Sequence, residues 1–321
     1  MDLVAWVAWM HVLLRQGSAM TADLFGTAAG LVERSAAAYV SGVPVDPADD
    51  GFFGPASVTW RVSAGLAAPV AGLRSLLVQA LHPLAMAGVD QHSAWRRDPV
   101  GRLAATREYV TTVSFGDRAT AERAAARVRR IHSRVRGTDR VTGQAYAAGD
   151  PALLLWVHAA LVDSALVTTG MFGTPLAAGE RDRYVREMVA AAELVGVPAG
   201  LAPSSAAELD AYLAGVRPIL RATPAASESM AYLLDPPGLD DEVAGIWRDI
   251  RDAAVGALPE WAIGMYGWDA PPPMTPERRT EIRQALGLLD AVFLGEPGVL
   301  EARQRIEARR RGAQARRERA G

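Results

Sequence analysis

Hydrophobic periodicity is the feature that most limits what this chain can fold into. Apolar residues recur at helical spacing along most of the 321 residues, no convincing segment alternates apolar and polar residues, and there is no internal repeat. We therefore expect an all-α fold. Half of the residues are hydrophobic and 22% are charged, so the chain can bury one large core, in one domain or two. The prediction is a single helical domain over residues 21–300.

Breaks in the periodicity define the predicted helices. His82-Pro83 ends or kinks one of them, because the residue before a proline is pushed away from the helical region. Asp98-Pro99 and Asp150-Pro151 open others as a cap followed by proline, and Gly137 is the expected residue just past a helix end. The helices are predicted at about 23–39, 57–68, 70–81, 99–113, 118–135, 151–169, 176–195, 204–215, 240–257 and 275–294.

Composition excludes several kinds of chemistry. Without Cys there are no disulfides, Cys-ligated zinc sites, iron–sulfur clusters or thiol nucleophiles. The chain also has no Lys, which excludes Schiff-base chemistry and a Walker-type phosphate loop. A formal net charge of -2 gives no reason to expect nucleic acid as a partner.

The two ends of the chain are expected to lie outside the domain. The apolar run from Leu3 to Leu14 is shorter than the roughly 20 residues that span a bilayer, and no basic residue precedes it as in a secretory signal. We expect residues 1–20 to be a leader or tag, with an interfacial helix or a true start at Met20 as alternatives. Residues 301–321 carry eight Arg and three Glu and are expected to be disordered or a frayed helix. The prediction is a cytoplasmic protein without stable membrane insertion.

Candidate site residues are concentrated between Leu76 and Gly137, where three of the five histidines lie. His82 stands at the predicted kink, either hydrogen-bonded in the core or facing a pocket. Arg102 and Thr106 are four residues apart and share a helical face, either as surface residues or as a donor pair aimed at a buried anion or a bound oxygen. His132 lies on or beside the buried face of its helix and is either a core residue or a ligand.

Metal-ligand patterns narrow the choice of cofactor. The Glu-x-x-His pairs of ferritin-like di-iron sites and the His-Glu-x-x-His zinc motif are both absent from the sequence. What remains is a cofactor that needs one neutral His in an apolar helical pocket with Arg donors nearby. Haem meets that description.

A series of short motifs then resembles one family, that of the rubber oxygenase (latex clearing protein) and the mpaB-type oxygenases. The resemblance covers about residues 54–212, with Trp268 as its outer limit, and the motifs have matching order and spacing. They are Gln79 to Pro83, His92-Ser93, Gly101 to Thr106, Phe115-Gly116, His132 to Gly137, Tyr146 to His158, and Gly196 to Pro198.

This resemblance implies an all-α fold with a globin-like core that holds haem b, with dioxygen as co-substrate. His132 matches the proximal iron ligand, and Arg102 and Thr106 match the Arg and Thr beside the haem. The rubber enzymes have a Lys just before that Thr, where this chain has Ala105, and a Glu upstream as the proposed base. No Glu occurs here between Gly51 and Arg107. His82, Asp90 or His92 would have to act as the base instead.

The predicted function is a haem b-dependent oxygenase that acts with dioxygen on a small apolar substrate, isoprenoid-like or alkene-like. Cleavage of polyisoprene is not expected, because of the departures at Ala105 and at the base. Arg102, Thr106, His82 and His92 are the predicted catalytic residues, and a separate electron donor is compatible with this chemistry. The alternative is a non-catalytic protein of the same fold that binds haem or an apolar ligand. The sequence does not indicate an oligomeric state.

Overall fold

A computed structural model describes residues 49–236 and 241–293, and within them the chain is almost entirely helical. The predicted all-α class is confirmed. The helices are α1 Val58–Ser63, α2 Ala68–Gln79, α3 Pro83–His92, α4 Pro99–Phe115, α5 Arg118–His132, α6 Pro151–Phe172, α7 Ala178–Val195, α8 Ala206–Val216, α9 Pro224–Leu234, α10 Asp241–Gly256, α11 Glu260–Tyr266 and α12 Pro276–Phe293, with a 3₁₀ turn at Arg217–Ile219. Two short strands, β1 Arg136–Thr138 and β2 Ala145–Ala147, form the one sheet in this part of the chain.

The core is built around α6, which packs along α2 more extensively than any other described pair of helices. Buried residues occupy most sides of α6, including Trp156 and Phe172. The largest apolar cluster joins α2 and α6 to α10, α11 and α12. A helix that is apolar on nearly all sides is stable only when other elements cover it, so the remaining helices are arranged around α6.

The length and composition of α6 would also suit a membrane span. Among the described residues it is the one helix that meets this test alone, and 72% of its most apolar window is buried inside the protein. The pair α2 and α3 meets the test only if taken as a single span bent by 103°. The core helix of a helical bundle has the same length and composition, and the position of α6 accounts for its apolar character.

Several predicted helix ends are confirmed in detail. His82 is extended (φ -85°, ψ 112°) and separates α2 from α3, which begins at Pro83. The Asp150 carboxylate accepts a hydrogen bond from the Ala152 N–H (2.9 Å) at the start of α6. Gly196 ends α7 in the left-handed region at φ 113°, which glycine adopts without steric cost.

The region around Gly137 differs from the prediction. The helix predicted to reach residue 135 ends at His132, and Gly137 lies in β1, paired with Tyr146 of β2. A Cβ atom at residue 137 would lie 2.8 Å from the Tyr146 hydroxyl and 2.9 Å from the Gln91 side-chain oxygen. Glycine is therefore needed here for close approach between side chains and backbone, and not to end a helix. Strands of three residues are too short to show a two-residue period.

Other differences concern short elements. Helix α1 ends at Ser63, five residues before the predicted end, and the sequence reading did not identify α9 and α11 as helices. Short helices carry few apolar residues, so their periodicity is weak. The leader predicted at residues 1–20, the helix predicted at 23–39 and the Arg-rich tail at 301–321 lie outside the described residues.

Candidate functional site

The candidate site lies where α5 ends and α6 begins. The β1–β2 hairpin connects the two, so that His132 at the end of α5 returns close to the start of α6. A Cβ atom at Gly149 would lie 4.0 Å from the His132 carbonyl oxygen. His132 is therefore a neighbour of the first turn of α6, although the two are joined by a long connection.

His82 reaches the second turn of α6 from the break between α2 and α3. Its side chain is buried (5% exposed), and its ring centroid is 5.9 Å from that of Trp156. Trp156 is fixed in place, because its indole N–H donates to the Gln79 carbonyl (3.0 Å). Burial lowers the pKa of His82, and the charge of the Asp150 carboxylate opposes this more weakly. His82 thus lies beside Trp156 of α6, and the backbone of His132 lies close to Gly149, just before α6 begins.

The two imidazoles share an uncommon environment. Nδ1 of His82 and Nδ1 of His132 are enclosed and have no hydrogen-bond partner among the described protein groups. Burial also lowers the pKa of His132, so both rings are neutral at neutral pH. Leaving a buried polar atom unpartnered costs about 1–3 kcal/mol. A neutral imidazole in this state can coordinate a metal or accept a proton.

Helix α4 brings the predicted Arg and Thr towards α5. The Thr106 hydroxyl donates to the Arg102 carbonyl (3.0 Å), so the two residues occupy successive turns of one face. Tyr109 follows on that face, and the charge of Arg129 on α5 partly opposes the rise in its pKa that burial causes. Helix α4, which carries Arg102 and Thr106, packs on α5, the helix that ends at His132. Burial lowers the pKa of Arg102, which is half-buried, whereas Thr106 is exposed.

His92 occupies a different position from His82. It lies at the exposed end of α3, with Nε2 3.2 Å from the Arg136 carbonyl oxygen and its ring edge-on to Tyr146. A helix of ten residues is about 15 Å long, so α3 separates the two histidines. His92 contacts β1 of the hairpin. Because β1 follows the end of α5, this contact is the link between His92 and the region of His132.

Asp90, which the sequence offered as another proton acceptor, is engaged in an ion pair. Arg96 lies 2.7 Å from the Asp90 carboxylate and also binds Glu228 of α9 through two nitrogens, at 2.8 and 3.0 Å. This arrangement ties the loop before α4 to α9. No local pattern indicates this contact, because Arg96 and Glu228 are far apart along the chain.

Two large apolar side chains are exposed near the site. Ile131, next to His132, is 51% exposed, and Val157, next to Trp156, is 39% exposed. Exposed apolar surface of this kind is available for contact with an apolar ligand. Sequence reasoning missed Val157 because a valine within a buried helix gives no signal of its own exposure.

No group of three or more His, Asp or Glu side chains stands close enough to hold a metal ion within residues 49–236 and 241–293. Haem needs only one protein ligand to its iron, so the fit depends on whether a single suitable histidine is present. His132 offers one neutral imidazole with an unpartnered nitrogen, and Arg102 on the facing helix offers a cation. These are the groups that a haem with one axial histidine and acidic propionates would require. The residues fit the cofactor.

Comparisons with known proteins agree with the motifs. Residues 60–291 match a family model described as ER-bound oxygenase mpaB/B′/rubber oxygenase, catalytic domain. Searches of curated proteins and of solved structures gave no match. The family match includes every candidate site residue, from His82 to His132, and covers well over half of the chain. The chain therefore belongs to the mpaB/rubber oxygenase catalytic-domain family.

Proposed function

We propose that this oxygenase-family protein is a haem b-dependent oxygenase that acts with dioxygen on a small apolar substrate, isoprenoid-like or alkene-like. The observation that carries the proposal is that His82, which is buried, and His132, which is partly buried, each have a neutral ring with an enclosed and unpartnered Nδ1 atom. A globin-like arrangement of α4, α5 and α6 around the cofactor is part of the proposal.

His132 would hold the haem through its neutral imidazole. One imidazole is enough, because the porphyrin supplies four nitrogen ligands of its own. Ligation requires the neutral ring, and burial keeps His132 in that form. Arg102 would bind a haem propionate or another anionic oxygen, since a guanidinium keeps its charge even where it is partly desolvated. Thr106, whose hydroxyl now donates to the Arg102 carbonyl, has its oxygen free to accept a further hydrogen bond.

Bound haem would supply dioxygen binding and one-electron chemistry. The chain's own contribution is to handle a proton and to exclude water. His82 is suited to the first task because burial favours its neutral ring and its Nδ1 atom has no partner in another residue among those described. Trp156 covers the His82 ring and restricts the access of water. His92 is the second candidate for proton transfer, from its exposed position on the hairpin.

Two exposed apolar side chains, next in sequence to His132 and to Trp156, support an apolar substrate. Ile131 and Val157 present apolar surface, and the nearby Asp90 is already paired with Arg96. An apolar molecule without a charged group suits this surface. Ala105 stands where the rubber enzymes have Lys, so we do not propose polyisoprene as the substrate. The proposal also includes a cytoplasmic location and a single domain over residues 21–300.

A non-catalytic haem or apolar-ligand carrier is the second candidate. The observation that favours it is the missing Glu between residues 51 and 107 together with the Arg96 ion pair, which occupies Asp90. A carrier would bind haem or an apolar molecule and leave added alkenes unchanged. Turnover of a substrate under dioxygen with a reductant distinguishes the two.

The experiment that tests the cofactor is an absorption spectrum of the purified protein, with and without dithionite and carbon monoxide. Because the chain has no Cys, the ferrous–CO band should have the position typical of histidine ligation and not that of thiolate ligation. His132→Ala should lose stoichiometric haem while keeping its helical circular dichroism. Full haem retention in that variant would rule out His132 as the ligand.

Arg102→Ala provides a second test, with Arg181→Ala on the exposed surface of α7 as its control. Loss of the Arg102 cation should weaken haem retention by at least tenfold, because a charge-assisted hydrogen bond contributes about 1.5–3 kcal/mol. The control should retain haem like the wild type. Equal retention by both variants would remove Arg102 from the site.

A further inference from the structure

One face of α5 carries a row of arginines. Arg123, Arg127 and Arg130 are spaced by four and three residues, and Arg134 continues the row just past the helix end. This spacing places all four on one side of the helix, opposite the buried Ala121 and Ala125, and all four are exposed. We refer to these four arginines as the basic face of α5.

Carboxylates do not neutralise this face. Within the described part of the chain, none of its arginines forms an ion pair, and Arg123 donates only to the Thr120 hydroxyl (2.8 Å) of its own helix. Elsewhere on the helix surfaces, Arg183 and Arg278 each lie 2.8 Å from a carboxylate. Four unpaired cations on one face of a chain whose net charge is -2 form a local site for an anionic partner.

The apolar neighbour of the basic face narrows the choice of partner. Ile131 is four residues after Arg127, so it borders the face, and half of its surface is exposed. Cations with an exposed aliphatic side chain beside them are typical of helices that lie at a lipid surface, where the arginines meet headgroups and the aliphatic group enters the interface. An acidic protein or a nucleic acid would use the cations but would gain little from Ile131.

We propose that the basic face of α5 binds the headgroups of an anionic lipid bilayer, with Ile131 entering the headgroup layer. Binding is peripheral and needs no membrane-spanning segment, and it does not require haem. One consequence rests on the proposed function: His132 follows Ile131 directly, so the bilayer would lie close to the end of α5, and an apolar substrate dissolved in lipid would have a short path to the site.

The test is sedimentation of the full-length protein with vesicles of phosphatidylcholine, with and without phosphatidylserine. Wild-type protein should bind the vesicles that contain phosphatidylserine, and binding should weaken as salt is added. Arg127→Gln combined with Arg130→Gln should weaken binding by about fivefold for each charge removed. Ile131→Asn should weaken it as well, without any change of charge.

The matched control removes two charges elsewhere. Arg181 and Arg186 are exposed on α7 and form no ion pair among the described residues, so R181Q/R186Q should bind vesicles like the wild type. The proposal is overturned if the wild type does not bind, or if it binds both kinds of vesicle equally. It is also overturned if R127Q/R130Q binds like the wild type, because binding would then belong to another basic segment such as residues 301–321. A response to the arginine variants but not to Ile131→Asn would overturn the entry of Ile131 into the headgroup layer and leave a purely electrostatic contact. Because vesicle binding is measured without haem or turnover, failure of this proposal is separable from failure of the oxygenase proposal.

Discussion

His82 combines burial, an unpartnered ring nitrogen and a place beside α6, and these features set its expected role at the scale of the residue. If it accepts a proton during turnover, His82→Ala should keep the haem spectrum and slow oxidation of an alkene substrate by about 10²–10⁴-fold. Because burial lowers the pKa of His82, the wild-type rate should rise with pH through that lowered pKa and then stay level.

The pH profile distinguishes this role from a structural one. In His82→Ala the acidic limb of the rate profile should disappear, whereas a variant that is merely less stable would keep it. A variant with lower folded yield but wild-type turnover per folded molecule would transfer the proton-handling role to His92.

His158 leads to a prediction about stability. It is 8% exposed on α6, and burial lowers its pKa to about 4. The unfolded chain therefore binds a proton on this residue between about pH 6.5 and pH 4, where the folded chain does not. The contribution of the neutral His158 to the free energy of unfolding is therefore fully present above pH 6.5 and is lost as pH falls. The loss is about 3 kcal/mol in total, at 1.36 kcal/mol for each pH unit between the two pKa values.

Urea unfolding at a series of pH values between 7 and 4 measures this effect. His158→Leu should reduce the slope of unfolding free energy against pH by about one proton, while the other buried histidines keep part of the dependence. Identical slopes in wild type and variant would show that His158 is protonated in the folded protein.

At the scale of the element, the β1–β2 hairpin depends on close contact at one position. Gly137 lies against Tyr146, whose hydroxyl donates to the Gln91 side-chain oxygen (2.9 Å) on α3. Gly137→Ala should destabilise the protein by about 1–3 kcal/mol, because the added methyl group overpacks this contact. Since His132 immediately precedes the hairpin, the variant should also weaken haem retention if that residue is the ligand.

A double variant locates the cause. Tyr146→Phe removes the nearest atom, so Gly137→Ala should cost less in that background than in the wild type when both are measured by urea unfolding. Equal costs in the two backgrounds would mean that backbone conformation, and not the hydroxyl contact, requires glycine here.

At the scale of the whole molecule, Arg74 joins parts that are distant in sequence. Its guanidinium is 3% exposed and binds the Asp163 carboxylate and the Ser164 hydroxyl of α6 (each 2.7 Å), and also the Ala257 carbonyl after α10 (2.8 Å). Arg74→Met leaves Asp163 partly buried without a partner and should lower the free energy of unfolding by about 3–5 kcal/mol.

Replacement of both partners tests this reasoning. R74M/D163L removes both charges from the core and should recover much of the stability lost in Arg74→Met, because a buried ion pair can be replaced by apolar groups of similar volume at little cost. If the double variant is no more stable than the single one, the bonds to Ser164 and Ala257 are the larger contribution.

The sequence by itself determined the class of fold, most of the long helices and the family. Helical periodicity, the cap-and-proline start at Asp150 and the break at His82-Pro83 are local properties of the chain, so they could be read before any tertiary contact was known. It also selected Arg102, Thr106 and His132, through their spacing and the motifs around them. Those residue roles remain predictions, although α4 and α5, the helices that carry the three residues, pack together.

Only the tertiary structure decided which of these groups meet. His82 contacts Trp156 from the break between α2 and α3, and the hairpin that returns the chain from His132 to the start of α6 has strands too short to leave a periodic signal. Likewise the ion pairs of Arg74 and Arg96 depend on helices that pack together from distant parts of the chain. Periodicity specifies which face of a helix is apolar, but the choice of the neighbour that covers it is made by packing and by the pairing of buried charges, neither of which is local in sequence.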